Sequence, residues 1–203
     1  MMFTEESFAV FDIEGLDARM AAIRAEIQPV FQQLDEYFVS ELRPLVGHVL
    51  PIHIAQHRRR TAHAPDFTWS AMGGDNRGYK KYPHFQLGIT AGYCVMWLSF
   101  IDNPLNEQKM ADAFLADSAV FQQLPSDFVI NLDHTRNTYE PLTEEGLAKG
   151  LKRWRDVKKG EFQIGRVLTR EELVKLTPAE ARQYMLETYV QLVPLYQLAM
   201  SVK

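Results

Sequence analysis

From Leu16 to Leu45 the chain repeats apolar residues at steps of three and four: Leu16, Met20, Ile23, Ile27, Phe31, Leu34, Phe38, Leu42 and Leu45. That spacing predicts one long helix with a buried stripe. Pro29 falls inside it, and because the stripe keeps its phase across the proline, a kink is expected rather than a break. Gly47 is placed to cap the C-terminus. Ahead of the helix, Phe8 to Ile13 reads as a short strand ending at Gly15. Residues 52–59 read as a short helix or turn. Phe67 to Met72, His84 to Thr90 and Tyr93 to Asp102 follow as three consecutive strands. The second alternates cleanly, with Phe85, Leu87 and Ile89 on one face and His84, Gln86 and Gly88 on the other. The third is apolar on nearly both faces, so it belongs in the middle of a sheet.

Beyond the strands, Asn103-Pro104 opens a helix that turns Met110, Phe114, Phe121 and Leu124 inward. Phe128 to Leu132 is a short strand. Thr143 caps a helix with Leu147, Leu151 and Trp154 on one face, and Leu142 is placed to staple onto Leu147. Phe162 to Leu168 is a last strand. Thr169 with Glu172 and Thr177 with Glu180 form two capping boxes, the second leading into a final helix bent by Pro194. Strands in one run with helices before and after predict an α+β fold. The expected architecture is a single domain over 1–203, with an antiparallel or mixed sheet of about six strands. No fixed-period repeat or linker interrupts it.

Composition narrows the class. The chain has 203 residues, 46% hydrophobic and 24% charged, which is ordinary for a globular protein. The opening Met1-Met2-Phe3-Thr4-Glu5-Glu6 lacks the basic and apolar regions of a secretory signal. The apolar run from Tyr93 to Ile101 is far shorter than the roughly 20 residues a membrane span requires. Cys94 is the one cysteine, which agrees with a reducing compartment, and its apolar setting reads as core packing. A soluble, cytoplasmic protein is expected.

Charge changes the picture further. The net charge of −4 conceals a basic segment from His48 to His84. Arg58, Arg59, Arg60, Arg77, Lys80 and Lys81 outnumber Asp66 and Asp75 there, and five of the six histidines share the stretch. Arg58-Arg59-Arg60 precedes one strand, and Arg77-Gly78-Tyr79-Lys80-Lys81 precedes the next, with His84 entering it. Neighbouring strands bring such groups to one sheet edge, where guanidinium forks and mobile ammonium groups suit phosphate or carboxylate oxygens. Gly73 to Gly78 offers backbone amides as an anion nest. The plainer reading is a solvated hairpin tip. Gly73 and Gly78 have P-loop spacing, but Tyr79-Lys80-Lys81 lacks the Lys-Ser/Thr pair and leads to a strand, so nucleotide hydrolysis of that type is excluded.

His53 and His57 would share a helical face, as zinc ligands do, but the accompanying glutamate of metalloproteases is missing and no third ligand is indicated. No metal is expected; hydrogen-bonded structural histidines are the default. Asp133-His134-Thr135 offers an acid beside an imidazole for proton transfer, or simply a capped turn. Lys158-Lys159 adds charge near the last strand. Trp69, Tyr79, Tyr82 and Phe85 interleave with the bases as single-stranded nucleic acids favour, although strand aromatics more often fill a core.

Several segments taken together resemble the YktB-like proteins of low-GC Gram-positive bacteria, a domain of unknown function. They are Phe11-Asp12-Ile13-Glu14-Gly15-Leu16-Asp17-Ala18-Arg19-Met20, His57-Arg58-Arg59-Arg60-Thr61, Arg77-Gly78-Tyr79-Lys80-Lys81 with Pro83-His84-Phe85-Gln86, Pro125-Ser126-Asp127-Phe128, Asp133-His134-Thr135, and Val157-Lys158-Lys159-Gly160-Glu161-Phe162. The resemblance implies a small intracellular α+β protein. It carries no assigned activity, cofactor or catalytic residue. The expected site is therefore read from the residues alone: a small anionic ligand held by Arg58, Arg59, Arg77, Lys80 and His84, with His134 and Lys158. The alternatives are an enzyme using His84 or His134 as acid or base beside that anion site, and nucleic-acid binding through bases and aromatics. Ligand identity, cofactor and oligomeric state are not legible.

Overall fold

A computed structural model describes residues 1–202 of the chain. Among them, seven strands form one sheet in the order β1-β2-β3-β4-β7-β5-β6, and every neighbouring pair is antiparallel. The strands are β1 (Ile52–Ile54), β2 (Phe67–Gly73), β3 (His84–Thr90), β4 (Tyr93–Phe100), β5 (Val129–Asn131), β6 (Glu140–Pro141) and β7 (Phe162–Thr169). The helices are α1 (Glu5–Ala9), α2 (Leu16–Ala22), α3 (Gln28–Val46), α4 (Glu107–Ala116), α5 (Glu144–Asp156), α6 (Arg170–Leu173) and α7 (Pro178–Ser201). None is long and apolar enough to cross a membrane. The expected α+β class stands, with seven strands where about six were anticipated.

The N-terminal stripe is realised with one irregularity. Between α2 and α3 the backbone widens into a π turn, Ile23–Ile27. Pro29 explains its position, since it lacks an N–H and its ring would press on the preceding turn; a wider turn relieves both. The stripe stays in phase, and Ile23, Ile27, Phe31, Leu34, Phe38 and Leu42 are buried. Gly47 ends α3 in the left-handed conformation at φ 80°, donating its N–H to the Arg43 carbonyl. Both expected capping boxes form ahead of α6 and α7.

Four local expectations need correction. Phe8 to Ile13 is not a strand but the end of α1 followed by a 3₁₀ turn. Phe8 and Phe11 lie three apart and are both buried, a helical spacing that a six-residue window cannot separate from a strand. Residues 52–59 do not form a helix, because Ile52–Ile54 pairs with β2 and the chain then turns. The helix after Pro104 begins only at Glu107, preceded by Asn106 at φ 60°. Glu140–Pro141 adds an edge strand that no apolar pattern announces.

One face of the sheet carries Phe85, Leu87, Ile89, Met96, Leu98, Phe100 and Ile164 into a core shared with α3 and α7. Phe85 stacks on Tyr196 with ring centroids 5.0 Å apart, and Tyr189 donates its hydroxyl to the Gln86 carbonyl across the helix–sheet interface. β4 is buried along nearly its whole length between β3 and β7, as its composition predicts.

Asp35 on α3 brings a carboxyl group into this core. It is fully buried, and neither carboxyl oxygen has a partner among the described residues. Burial pushes its carboxyl up to about 8, against a lowering influence of the Ser70 hydroxyl. Between the unfolded value of 3.8 and about 8 the folded chain keeps a proton that the unfolded chain has released, so rising pH favours unfolding across that window. Replacing Asp35→Asn is expected to remove a loss on the order of 1.4 kcal/mol per pH unit. Urea denaturation of both proteins between pH 6.5 and 8 checks this, and identical slopes would refute it.

Candidate functional site

The sheet face turned away from α3 and α7 is polar where the strands end together. Cross-strand register aligns Gly73, His84, Ser99, Gln163 and Asn131 in one row across β2, β3, β4, β7 and β5. The adjacent row brings His53, Ala71, Gln86, Trp97 and Gly165 together across β1, β2, β3, β4 and β7. Within them Gln163 Nε2 donates to Ser99 Oγ at 2.8 Å, and Ser99 Oγ donates to Gln86 Oε1 at 3.2 Å. Glycine shapes this face: a Cβ on Gly165 would lie 1.7 Å from the Met96 carbonyl oxygen and 3.0 Å from the Trp97 ring. Only a residue without a side chain permits that approach.

His84 has no exposed surface. Its Nδ1 lies 2.9 Å from the Tyr82 carbonyl, which accepts the N–H, while Nε2 is buried with no partner among the described residues. Burial pushes the imidazole down to about 4, with the Tyr82 hydrogen bond opposing and the charge of Lys80 reinforcing the shift. His53 and His134 also act on it electrostatically, so the three rings share one neighbourhood.

At the rim, two carboxylates organise the cationic groups. Lys80, in the 3₁₀ turn Tyr79–Lys81, places Nζ 3.0 Å from Asp102 Oδ2 just beyond β4. Lys80 holds the Asp102 carboxyl below its usual range, and the charges of His134 and Arg59 add to the effect. Glu161, at the start of β7, accepts the His134 N–H at 2.9 Å, the His134 Nδ1 at 2.8 Å and the Asp102 N–H at 3.2 Å. Burial works to raise Glu161, but these hydrogen bonds outweigh it and hold the carboxyl below its usual range. The turn after β4 is also unusual in backbone. Asp102, Asn103 and Asn106 have φ of 62°, 59° and 60°, which Asp and Asn tolerate better than other side chains. The Leu105 N–H donates to the Lys81 carbonyl at 2.8 Å, tying this turn to the lysine-bearing one.

Beside the rim, aromatic rings form a cleft of about 350 Å³. Tyr79 stacks on His53 at 4.8 Å and meets His84 edge-on at 4.9 Å. Trp69 Nε1 donates to the Tyr79 hydroxyl at 3.0 Å. His57 stands edge-on to Trp69 at 5.3 Å, with its Nε2 3.0 Å from Thr68 Oγ1.

Of the residues expected in the site, Lys80 pairs with Asp102 and His134 with Glu161, Arg59 acts electrostatically on Asp102, and the buried His84 lies near Lys80 and His134. Arg58 and Arg77 are exposed, and neither guanidinium makes an ion pair among the described residues. Lys158 is exposed in a neighbouring depression with Asn103 and Glu107. His53 and His57 do not share a helical face: His53 lies on β1, and His57 sits in a turn at φ 48°. Asp133 does not pair with the adjacent imidazole either. It accepts from the Thr135 N–H and hydroxyl, and the acid beside His134 is Glu161. Glu161, Asp102 and the Gln86–Ser99–Gln163 chain escaped the sequence reading, although Glu161 lies in the Val157-Lys158-Lys159-Gly160-Glu161-Phe162 segment that carries the resemblance.

A neutral, buried His84 has a consequence for stability. The unfolded imidazole takes up a proton near 6.5 and the folded one only near 4, so stability falls as pH is lowered through that window. His84→Asn keeps an amide N–H in the place of Nδ1 and does not titrate. It is expected to remove a slope on the order of 1.4 kcal/mol per pH unit between pH 6.5 and 4. Denaturation in the Asp35→Asn background, where the opposing carboxyl slope is gone, measures it directly; an unaltered acid limb would contradict the assignment.

The segments that build this site extend over most of the chain, and so does its similarity to other proteins. Residues 3–196 match a family described as a domain of unknown function (DUF1054). A UPF0637 protein of Enterococcus faecalis is 56% identical over 201 residues, covering 99% of each chain. One from Exiguobacterium sibiricum is 41% identical over 195 residues, covering 96% of each, and one from Listeria innocua is 38% identical over 202 residues, covering 98% of each. These bacteria fit the low-GC Gram-positive group that the resemblance implied. Matched in this way nearly end to end, the chain belongs to the DUF1054 family of UPF0637 proteins.

Proposed function

We propose that the rim around Asp102 binds a small anionic ligand bearing a phosphate or carboxylate. The observation that carries this reading is the Lys80–Asp102 ion pair at 3.0 Å, with His134 and Arg59 near enough to act electrostatically on the same carboxylate. Arg59 and Lys80 come from separate turns, and His134 from the far side of β7. Asp102 pairs with Lys80 as a resident counter-ion that an incoming anion must outcompete. Arg58 and Arg77, both exposed, are close in sequence and available to add long-range attraction.

A second reading, an enzyme using an imidazole as acid or base, is favoured by the His134–Glu161 pair. Glu161 fixes His134 through Nδ1 and leaves Nε2 for a substrate, the arrangement in which a carboxylate orients a catalytic imidazole. Nucleic-acid binding through bases and aromatics has less support, because Asp102 and Glu161 dilute the positive rim.

Thermal shift with inorganic phosphate, pyrophosphate and citrate tests the first reading. Lys80→Ala is expected to weaken phosphate binding roughly tenfold. Asp102→Asn is expected to strengthen it, because asparagine keeps the left-handed backbone while removing the competing charge. No response to any of the three anions would end this reading. For the second, a panel of phosphate and carboxylate esters turned over by the native protein and not by His134→Gln is the expected result. No turnover across the panel would remove the enzymatic reading and leave binding intact.

A further inference from the structure

Resting on the anion-binding reading, we infer that the ligand is a phosphate-bearing planar heterocycle, with its ring in the cleft between His57, Trp69 and Tyr79 and its phosphate at Arg59 and Lys80. The two halves are joined by the chain itself. Tyr79 is a wall of the cleft, and Lys80 follows it at the rim; His57 is another wall, and Arg59 lies two residues on.

The cleft has the character of a ring site. Its volume of about 350 Å³ lies at the lower end of the range for small-molecule sites. Trp69, Tyr79, His53 and His57 are only half-buried, so part of each ring remains open for contact. The Trp69–Tyr79 hydrogen bond and the His57–Thr68 hydrogen bond hold the walls in place before any ligand arrives, which spares the cost of ordering them on binding. His57 sits in the turn at φ 48°, in the left-handed region that histidine enters more readily than most side chains. The cleft is also edged by the Gln56 amide and the His57 imidazole, which a ring bearing nitrogens or an exocyclic amine can use and a purely hydrocarbon ring cannot.

A free nucleotide and a single-stranded nucleic acid share this chemistry, since both present a base next to a phosphate. Titration calorimetry separates the cases with inorganic phosphate, a pentose 5-phosphate, a purine nucleoside monophosphate and an oligonucleotide of about six residues. The nucleoside monophosphate is expected to bind roughly tenfold more tightly than the pentose phosphate. Trp69→Leu and, separately, His57→Ala are expected to abolish that difference while leaving phosphate affinity unchanged. Retained phosphate binding also shows that each variant is folded. Affinity rising with strand length would support the ring-and-phosphate assignment and name a strand as its source; equal affinity would support it and name the free nucleotide. If the native protein binds nucleoside monophosphate and pentose phosphate equally, this inference is overturned and the anion reading survives. If no phosphate binds at all, both fall together.

Discussion

The carboxylate of Glu161 fastens the functional end of the molecule. It stands at the start of β7, which lies between β4 and β5, so the turns leaving those two strands pass on either side of it. From one turn it takes the Asp102 N–H, and from the other it takes the His134 N–H and imidazole. A single buried acid thereby fixes two loops that have no other need to meet. Because it is satisfied by three donors, it remains a stable negative centre despite being withdrawn from water. Asp102 is held by its backbone to Glu161 and by its side chain to Lys80, which extends the fastening to the turn before β3. The rim exists because these links close.

Beneath that rim, the two faces of the sheet have divided the labour. The face toward α3 and α7 is apolar and aromatic, and it provides most of the burial that stabilises the fold. The opposite face is buried too, yet it carries His84, Gln86, Ser99 and Gln163. Burying four polar side chains on a sheet costs free energy unless their hydrogen bonds are met. Most of them are, through the Gln163–Ser99–Gln86 chain and the Tyr82 carbonyl. Among the described residues, His84 Nε2 and His53 Nε2 have no hydrogen-bond partner, and both of their rings contact Tyr79.

Much of the scaffold was legible in the sequence, because its rules are local. Phe85, Leu87 and Ile89 alternate as a strand must, Thr169 and Thr177 cap helices through glutamates three residues on, and the stripe from Leu16 to Leu42 continues past Pro29. Short elements were lost for the same reason. Three residues of β1 and two of β6 carry no period, and Phe8 with Phe11 fit a turn of helix as well as a strand. The site was half legible. Charge density pointed to Arg59, Lys80 and His84, but the acids that organise them lie far along the chain. Glu161 is 27 residues from His134, and Asp102 is 22 from Lys80. No spacing rule links such pairs; only the insertion of β7 beside β4 does.

The dimensions of the outermost strands bear on how the protein meets others of its kind. β1 and β6, which flank the sheet, have three and two residues, and β6 ends in a proline. A free border of that length presents too few amide and carbonyl groups in line to template a foreign strand, and proline removes one donor from it. The sheet is thus shielded from growing sideways into aggregates, even though its central strands have seven or eight residues and are rich in apolar side chains.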